Sequence, residues 1–328
     1  MKIMPKKSNL VIFLIVLPFL LMSSFYVIYN KNISFKEGDY IEVLPGDSLN
    51  NVIDYLEDKF LFQHGFRLKV IMKFLSLEDD IKPGKHSLSN INSVKDLVKE
   101  ITAVTSYESL TLLEGWTIDD ISSYLKKSKN LYFFNADVFR KLCYDKDFID
   151  TEIIEGLGFY NIDNLEGYLF PETYLVDSYT NEKELIKIFV QQFQSKLRTY
   201  YRDIDDIKKT MIIASIVEAE TNLVDEMDTI SSIYHNRIKN NMKLESDPTI
   251  EYVINRPMKS KDKFIDSPFN TYRNKGLPPS PINSPGLEAI KAAIYPAETG
   301  FLFMVMNYKK GRHLFATNYK QHKINIRK

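Results

Sequence analysis

Met211-Ile212-Ile213-Ala214-Ser215-Ile216-Val217-Glu218-Ala219-Glu220-Thr221 is the stretch on which the reading of the chain turns. It is apolar on nearly every face, which reads as a helix buried on all sides. Into that setting it carries Glu218 and Glu220, although glutamate is rarely fully buried unless paired. At about 100° per residue, two positions along a helix separate the carboxylates by roughly 200°. One can therefore face an enclosed cleft while the other reaches solvent or a pairing partner. A carboxyl against an apolar wall is desolvated, which raises its pKa and suits it to work as a general acid, as in glycoside cleavage. The plainer alternative is a glutamate near a helix C-terminus that points to water, and spacing alone does not separate the two.

The chain has 328 residues, enough for two compact units. Its 43 basic and 43 acidic residues cancel, so the basic excess of a nucleic-acid binder is missing. The 21 Phe and 20 Tyr can supply core or stacking faces for sugars, beside a single Trp. Cys143 is alone, so no intrachain disulfide forms and a small core hydrophobe is the expected role. There is no CxxC, HExxH or clustered His spacing and no glycine-rich nucleotide loop. No metal and no cofactor are expected.

At the N-terminus, Leu10 to Tyr29 is an uncharged run of 20 residues, long enough to span a bilayer as a helix. Lys2, Lys6 and Lys7 precede it and Lys31 and Lys36 follow, a bias that favours a cytoplasmic N-terminus. A cleaved signal peptide is the rival. Its apolar region would be shorter, and Ser23-Ser24 is a poor cleavage site because Phe25 and Tyr26 continue the run. The expectation is a cytoplasmic segment 1–9, a transmembrane helix 10–29, and the rest outside the cytoplasm.

Residues 38–103 read as a small βααβ unit. Tyr40 to Leu44 can be a strand, Pro45-Gly46-Asp47 a turn, and Ser48 the cap of a helix with apolar Leu49, Val52, Ile53 and Leu56. A second helix carries Phe66, Val70, Ile71 and Phe74; Lys82-Pro83-Gly84 ends it, and Lys85 to Ser89 can return as a strand. This pattern resembles a LysM-like module, a fold associated with N-acetylglucosamine-containing polymers. The opening recurs: Leu44, Gly46, Ser48, Leu49, Val52, Tyr55 and Leu56 align with Leu113, Gly115, Thr117, Ile118, Ile121, Tyr124 and Leu125. Two copies do not make a repeat array. Trp116, in the second turn, reads as a partly buried anchor or a sugar-stacking face.

Residues 107–328 read as a larger mixed α+β domain. Leu165-Glu166-Gly167-Tyr168-Leu169-Phe170-Pro171-Glu172-Thr173-Tyr174 is a loop dense in aromatics and acids. Asn181 and Glu184 form a cap-like start to a helix striped by Leu185, Ile188, Phe189, Phe193, Leu197 and Tyr200. An acidic start at Asp203 to Asp206 leads into the Glu218 helix. Met227, Ile230, Ile233, Tyr234 and Ile238 mark another helix, and Ser246-Asp247-Pro248-Thr249 reads as cap plus N1 proline, with Asp247 the cap. Gly276 to Gly286 holds four prolines, a stiff loop suited to a groove wall or a surface strap. Leu287 to Ile294 is a short helix, and Phe301–Met306 and His313–Ala316 bracket Lys309-Lys310-Gly311 as a hairpin. His313 has no visible partner and is expected to be structural.

In order and spacing, Leu113-Glu114-Gly115-Trp116-Thr117, Leu165 to Tyr174, Ala214 to Thr221, Leu244 to Thr249, Ser267 to Tyr272, Gly276 to Gly286 and Lys291 to Pro296 resemble the endolytic murein transglycosylase family (MltG-type, YceG-like proteins). The resemblance covers about residues 38–326. It implies an inner-membrane lyase whose body lies on the outer side and cuts nascent peptidoglycan between N-acetylmuramic acid and N-acetylglucosamine. The cut leaves 1,6-anhydro ends and terminates strand elongation near the synthases. The family's catalytic glutamate maps onto Glu218; Glu166, Asp247, Asn270 and Tyr272 match its motifs and are expected to line the groove. Ala219 stands where lysine is common, Phe269 where tyrosine is common and Glu245 where glutamine is usual. Two other readings stand beside this one: a non-catalytic wall-binding scaffold, which would not need Glu218, and a muramidase that uses water, which would need a second carboxylate such as Glu166 or Glu220.

Overall fold

The computed structural model describes residues 26–328 apart from 28, 31, 45, 105–106, 129, 132–133, 155–161, 201–203 and 205. Most of the expected membrane helix 10–29 therefore lies outside the described residues. Among those described, no helix is long and apolar enough to cross a membrane. The chain divides into two units, Met1–Glu108 with Val176–Tyr179, and Ser109–Leu175 with Thr180–Lys328.

The smaller unit has the order β1 (Tyr40–Val43), α1 (Leu49–Phe60), α2 (Gly65–Phe74), β2 (Gly84–Ser87), the βααβ order expected. β1 and β2 pair antiparallel, Tyr40 opposite Ser87 and Val43 opposite Gly84. Ile41 and Val43 point inward while Tyr40 and Glu42 point out, as the two-residue strand period requires. Ser48 caps α1 with a reciprocal bond to Asn51, and Leu49, Val52, Ile53 and Leu56 are buried. A further helix, α3 (Val94–Ile101), starts at the Ser93 cap and adds Val94, Leu97, Val98 and Ile101 to the same core. In α2 the burial differs from the expected set. Leu68, Ile71 and Met72 are inside, whereas Phe66, Val70 and Phe74 are exposed, Phe66 at 80%. The helix carries two apolar stripes, and positions 66, 70 and 74 share the face that turns outward.

β3 (Tyr107–Thr111) pairs with β4 (Thr173–Asp177), and the elements that follow belong to the larger unit. Thr117 caps α4 (Ile118–Lys127) through a reciprocal bond with Asp120. α5 (Ala136–Cys143) ends in Cys143, which is buried in the core. α6 (Glu182–Leu197) begins with the expected Asn181–Glu184 capping box. α7 (Ile207–Glu220) starts at Asp206, whose side chain accepts the Lys209 N–H, and is buried from Met211 through Glu218. Each fully buried Ile, Val or Met along it contributes about 1.5–3 kcal/mol, so α7 is the apolar axis of the unit. It packs against α8 (Val224–Lys239), α9 (Asp247–Ile254) and α10 (Leu287–Ile294). Ala289, Ile290, Ala292 and Ala293 of α10 are buried; small side chains permit close packing. The chain ends in the hairpin β5 (Phe303–Asn307) and β6 (Arg312–Ala316), covered by α11 (Tyr319–Ile326). His313 does have a partner: its Nδ1 lies 2.7 Å from Glu226 Oε2, with both side chains buried. Glu226 is 87 positions away on α8, beyond the reach of a local pattern.

Candidate active site

Glu218 stands in the last turn of α7 and is only 9% exposed. Its Oε2 accepts the Gly286 N–H at 3.0 Å, and its Oε1 has no hydrogen-bond partner among the described residues. Burial raises its pKa, the Gly286 bond works against that rise, and the negative charge of Glu114 adds to it. A carboxyl whose pKa is raised, with one oxygen anchored and the other free, is suited to act as a general acid.

The proline-rich loop is fixed on two sides. On the α7 side, one turn before Glu218, the Ile282 N–H donates to Ser215 Oγ at 3.1 Å, and the Asn283 amide donates to the Ser215 carbonyl at 2.9 Å. On the other side, Gly115 N–H donates to the Ser284 carbonyl at 2.9 Å, and Ser284 N–H to the Trp116 carbonyl at 2.7 Å. Trp116 is half-buried and its ring lies 5.1 Å from that of Tyr124, the partly buried anchor among the two expectations. The carboxyl of Glu114 lies where a Cβ on Gly286 would be, so a side chain there would have to push Glu114 aside. Glu114 is thus the second carboxylate beside Glu218, and the sequence reading passed over it. The signal was the Glu-Gly pair in Leu113-Glu114-Gly115-Trp116-Thr117, whose turn faces α7 only after long-range packing.

Glu220, on the other side of α7, has pairing partners: its Oε1 accepts from Tyr234 Oη at 2.6 Å and from Ser246 Oγ at 2.8 Å. Burial raises its pKa, and both hydroxyl donors oppose the rise. Because Ser246 turns its hydroxyl to Glu220, it makes no side-chain cap bond to α9. Asp247 is not the cap either. It is the first residue of α9, and it accepts a short hydrogen bond from the Tyr272 hydroxyl. The tyrosine outcompetes the local capping role.

The remaining expected groove residues lie deeper. Asn270 is buried with its polar atoms engaged in its own loop: its amide donates to the Lys263 and Ile265 carbonyls and its Oδ1 accepts the Tyr272 N–H. It shapes the loop that presents Tyr272 and has no polar atom left for a groove. Glu166 is 1% exposed. Its Oε1 accepts the Ile118 N–H at 3.0 Å and its Oε2 the Tyr252 hydroxyl at 3.1 Å. Burial pushes its pKa up to about 8 against those two bonds, so it is mostly neutral at pH 7. Gly167 brings this segment hard against Pro281, with which a Cβ would collide. Glu166 forms part of the wall of a pocket of about 660 Å³, together with Thr117, Tyr144, Ala219, Tyr252 and Asn283. Among the described residues, no group of three or more His, Cys, Asp or Glu side chains could hold a metal ion.

Fold and site together define a mixed α+β protein in which a buried carboxyl, its pKa raised by desolvation, is bonded to a stiff loop beside a polar pocket. A sequence profile of the YceG-like family matches residues 41–328, and the chain belongs to that family. Two pneumococcal proteins named endolytic murein transglycosylase (strains D39 and R6 of Streptococcus pneumoniae) are 27% identical over 316 residues, 87% of this chain and 57% of theirs. The chain thus spans little more than half the length of these relatives. A Bacillus subtilis protein of the same name is 28% identical over 309 residues, 89% of this chain and 82% of its own. The crystal structure of a YceG-like protein of Listeria monocytogenes superposes with a TM-score of 0.60 at 26% identity, covering 88% of this chain and 99% of that one.

Proposed function

We propose that the chain is an endolytic peptidoglycan lytic transglycosylase in which Glu218 is the acid and then the base. The observation that carries the reading is the Glu218 carboxyl itself, desolvated at the end of an apolar helix and held at Oε2 by the Gly286 N–H. Its Oε1 proton passes to the glycosidic oxygen between N-acetylmuramic acid and N-acetylglucosamine, and the C1–O bond breaks with the 4-hydroxyl as leaving group. The carboxylate then takes the proton of the muramic C6 hydroxyl as O6 closes on C1. The products are a 1,6-anhydro end and a reprotonated Glu218, and no water is consumed. Names of the pneumococcal and Bacillus relatives support this reading. The engagement of Glu166 and Glu220 with other donors weighs against either as a water-activating base.

In the same reading, residues 10–29 anchor the protein in the cell membrane with its N-terminus cytoplasmic, 38–103 are a LysM-like module and 107–328 the catalytic domain. The βααβ order supports the second of these. Peptidoglycan synthases are the partners expected for an enzyme that ends nascent strands. The test is to incubate the full-length chain in detergent, as wild type and as Glu218→Gln, with uncrosslinked glycan strands and to read new ends by mass spectrometry. Anhydro ends from wild type alone support the proposal; equal cleavage by both proteins rejects Glu218, and strands bound but left whole by both favour a scaffold.

A further inference from the structure

The smaller unit carries its charge in two blocks. Residues 37–58 hold seven acidic side chains and no basic one. Residues 59–77 hold four basic side chains, Lys59, Arg67, Lys69 and Lys73, and no acidic one. Most of the second block is α2, the helix whose outer stripe is apolar. Leu61, just before that helix, and Phe66 are each 80% exposed, Phe74 is 69% exposed and Val70 41%. At about 100° per residue, Phe66, Val70 and Phe74 fall within a sector of roughly 80°, with Lys69 and Lys73 on one flank and Arg67 on the other. The core does not use this stripe, since Leu68, Ile71 and Met72 fill it from the opposite side. Among the described residues, none of the four cations pairs with a carboxylate.

A helix face of exposed aromatic and aliphatic side chains, edged by cations that no carboxylate neutralises, suits an anionic lipid surface. The apolar side chains can enter the boundary between headgroups and acyl chains, while the Lys and Arg stems lie along it and carry their charges to the phosphates. The chain itself places such a surface within reach. The apolar run ends at Tyr29, and the ring of Phe35 lies 5.6 Å from that of Phe60 and 6.1 Å from that of Phe62. Those two residues flank Leu61, so the linker is fastened at the corner between α1 and α2. From Tyr29 to Phe35 the chain reaches at most about 20 Å. A tether that short gives an effective concentration on the order of millimolar, at which a small patch docks that would bind weakly when free.

We propose that the outward face of α2, with Leu61, docks on the anionic phospholipid surface of the membrane that holds residues 10–29. Phe66 and Val70 enter the interface, and Lys69, Lys73 and Arg67 meet lipid phosphates. The contact fixes the height and tilt of the smaller unit above the bilayer. It rests on the reading of 10–29 as an anchor for bringing the unit to a membrane.

The test uses the full-length chain in vesicles that contain a phospholipid with a photoactivatable group high in its acyl chain. One set is phosphatidylcholine alone, the other has phosphatidylglycerol added, and lipid adducts are mapped by mass spectrometry. The expected result is adducts at 10–29 in both sets and adducts at 61–75 that are at least about fivefold more abundant with phosphatidylglycerol, the factor that one cation near a charged surface contributes. Phe66→Glu with Val70→Glu should remove the 61–75 adducts and keep those at 10–29; both positions are exposed, and a melting curve checks the fold. The comparison of the two lipid sets needs no variant. Adducts at 10–29 with none at 61–75, or equal adducts at 61–75 in both sets, overturn the proposal. Adducts at 61–75 that need phosphatidylglycerol, with none at 10–29, keep the docking face and reject the anchor. A dimer that Phe66→Glu dissolves, with 61–75 free of lipid, makes the face a contact between two copies and also overturns the proposal.

Discussion

Two segments of the chain are built from one local recipe and end in different places. In each, a strand leads through a glycine at positive φ to a hydroxyl-capped helix: Gly46 (φ 90°) and the Ser48–Asn51 box, Gly115 (φ 76°) and the Thr117–Asp120 box. Nothing lies within 4 Å of where a Cβ on Gly46 would be, whereas one on Gly115 would touch Glu218 Cγ at 4.0 Å. The second copy is also pinned from outside. Gly115 and Trp116 exchange backbone bonds with Ser284, and Ile118 donates its N–H to Glu166. The local pattern makes a turn; distant partners turn one of the two copies into a site wall.

That contrast can be broken most directly at the glycines. Alanine in the left-handed region costs about 1–2 kcal/mol at either position. Gly115→Val should in addition displace Glu218 and lower the cleavage rate about 100-fold or more, since a misplacement near 1 Å can cost that much. Gly46→Val should leave the rate within about twofold, measured per folded molecule after a melting curve. Equal rate losses would mean that the two turns do not differ in role.

The next largest effect concerns Glu166, which tethers the second copy alone. Its carboxyl is raised from 4.5 to about 8 in the folded state, so the folded protein holds more protons than the unfolded chain between those values. Stability from this group is greatest below about pH 4.5, falls as pH rises through the window, and is flat above about pH 8. At about 1.4 kcal/mol per unit the swing is several kcal/mol. Denaturant titrations from pH 5 to 8 should show wild type losing stability and Glu166→Gln losing much less.

Glu114 sharpens the comparison from within the turn. Its charge helps raise the pKa of Glu218, and the active form of the acid is the protonated one. Glu114→Gln should therefore move the alkaline fall of the cleavage rate to lower pH; an unmoved limb removes Glu114 from the electrostatics of the site. The smallest effect is the shared one. Ser48→Ala and Thr117→Ala should each cost about 1 kcal/mol in a denaturation midpoint, because the capping boxes are alike even where the turns are not.

The same distinction explains what could be read in advance. The extents of α10, the β5–β6 hairpin and the Asn181 cap follow from periodicity and end signals within a few residues, and they appear where the pattern placed them. The buried setting of Glu218 was legible because eight consecutive residues, Met211 to Glu218, offer no solvent face. Glu114, Asn283 and the Glu226–His313 pair were not legible, because their partners lie far away in the chain: the Gly286–Glu218 bond alone spans 68 positions. Asp247 was misread by a correct local rule that a tertiary competitor overrode, and Phe66 and Phe74 because a helix with two apolar stripes does not announce which one the core will take.

The central claim is that one carboxyl, Glu218, cleaves the strand with the sugar's own hydroxyl as nucleophile. The measurement that tests it most directly is cleavage of glycan strands by the full-length protein in water enriched in ¹⁸O, with the new ends weighed by mass spectrometry. The account predicts 1,6-anhydro ends without ¹⁸O. Reducing ends that carry one ¹⁸O would contradict it, and would make a water-activating carboxylate, with Glu114 the nearest candidate, part of the mechanism.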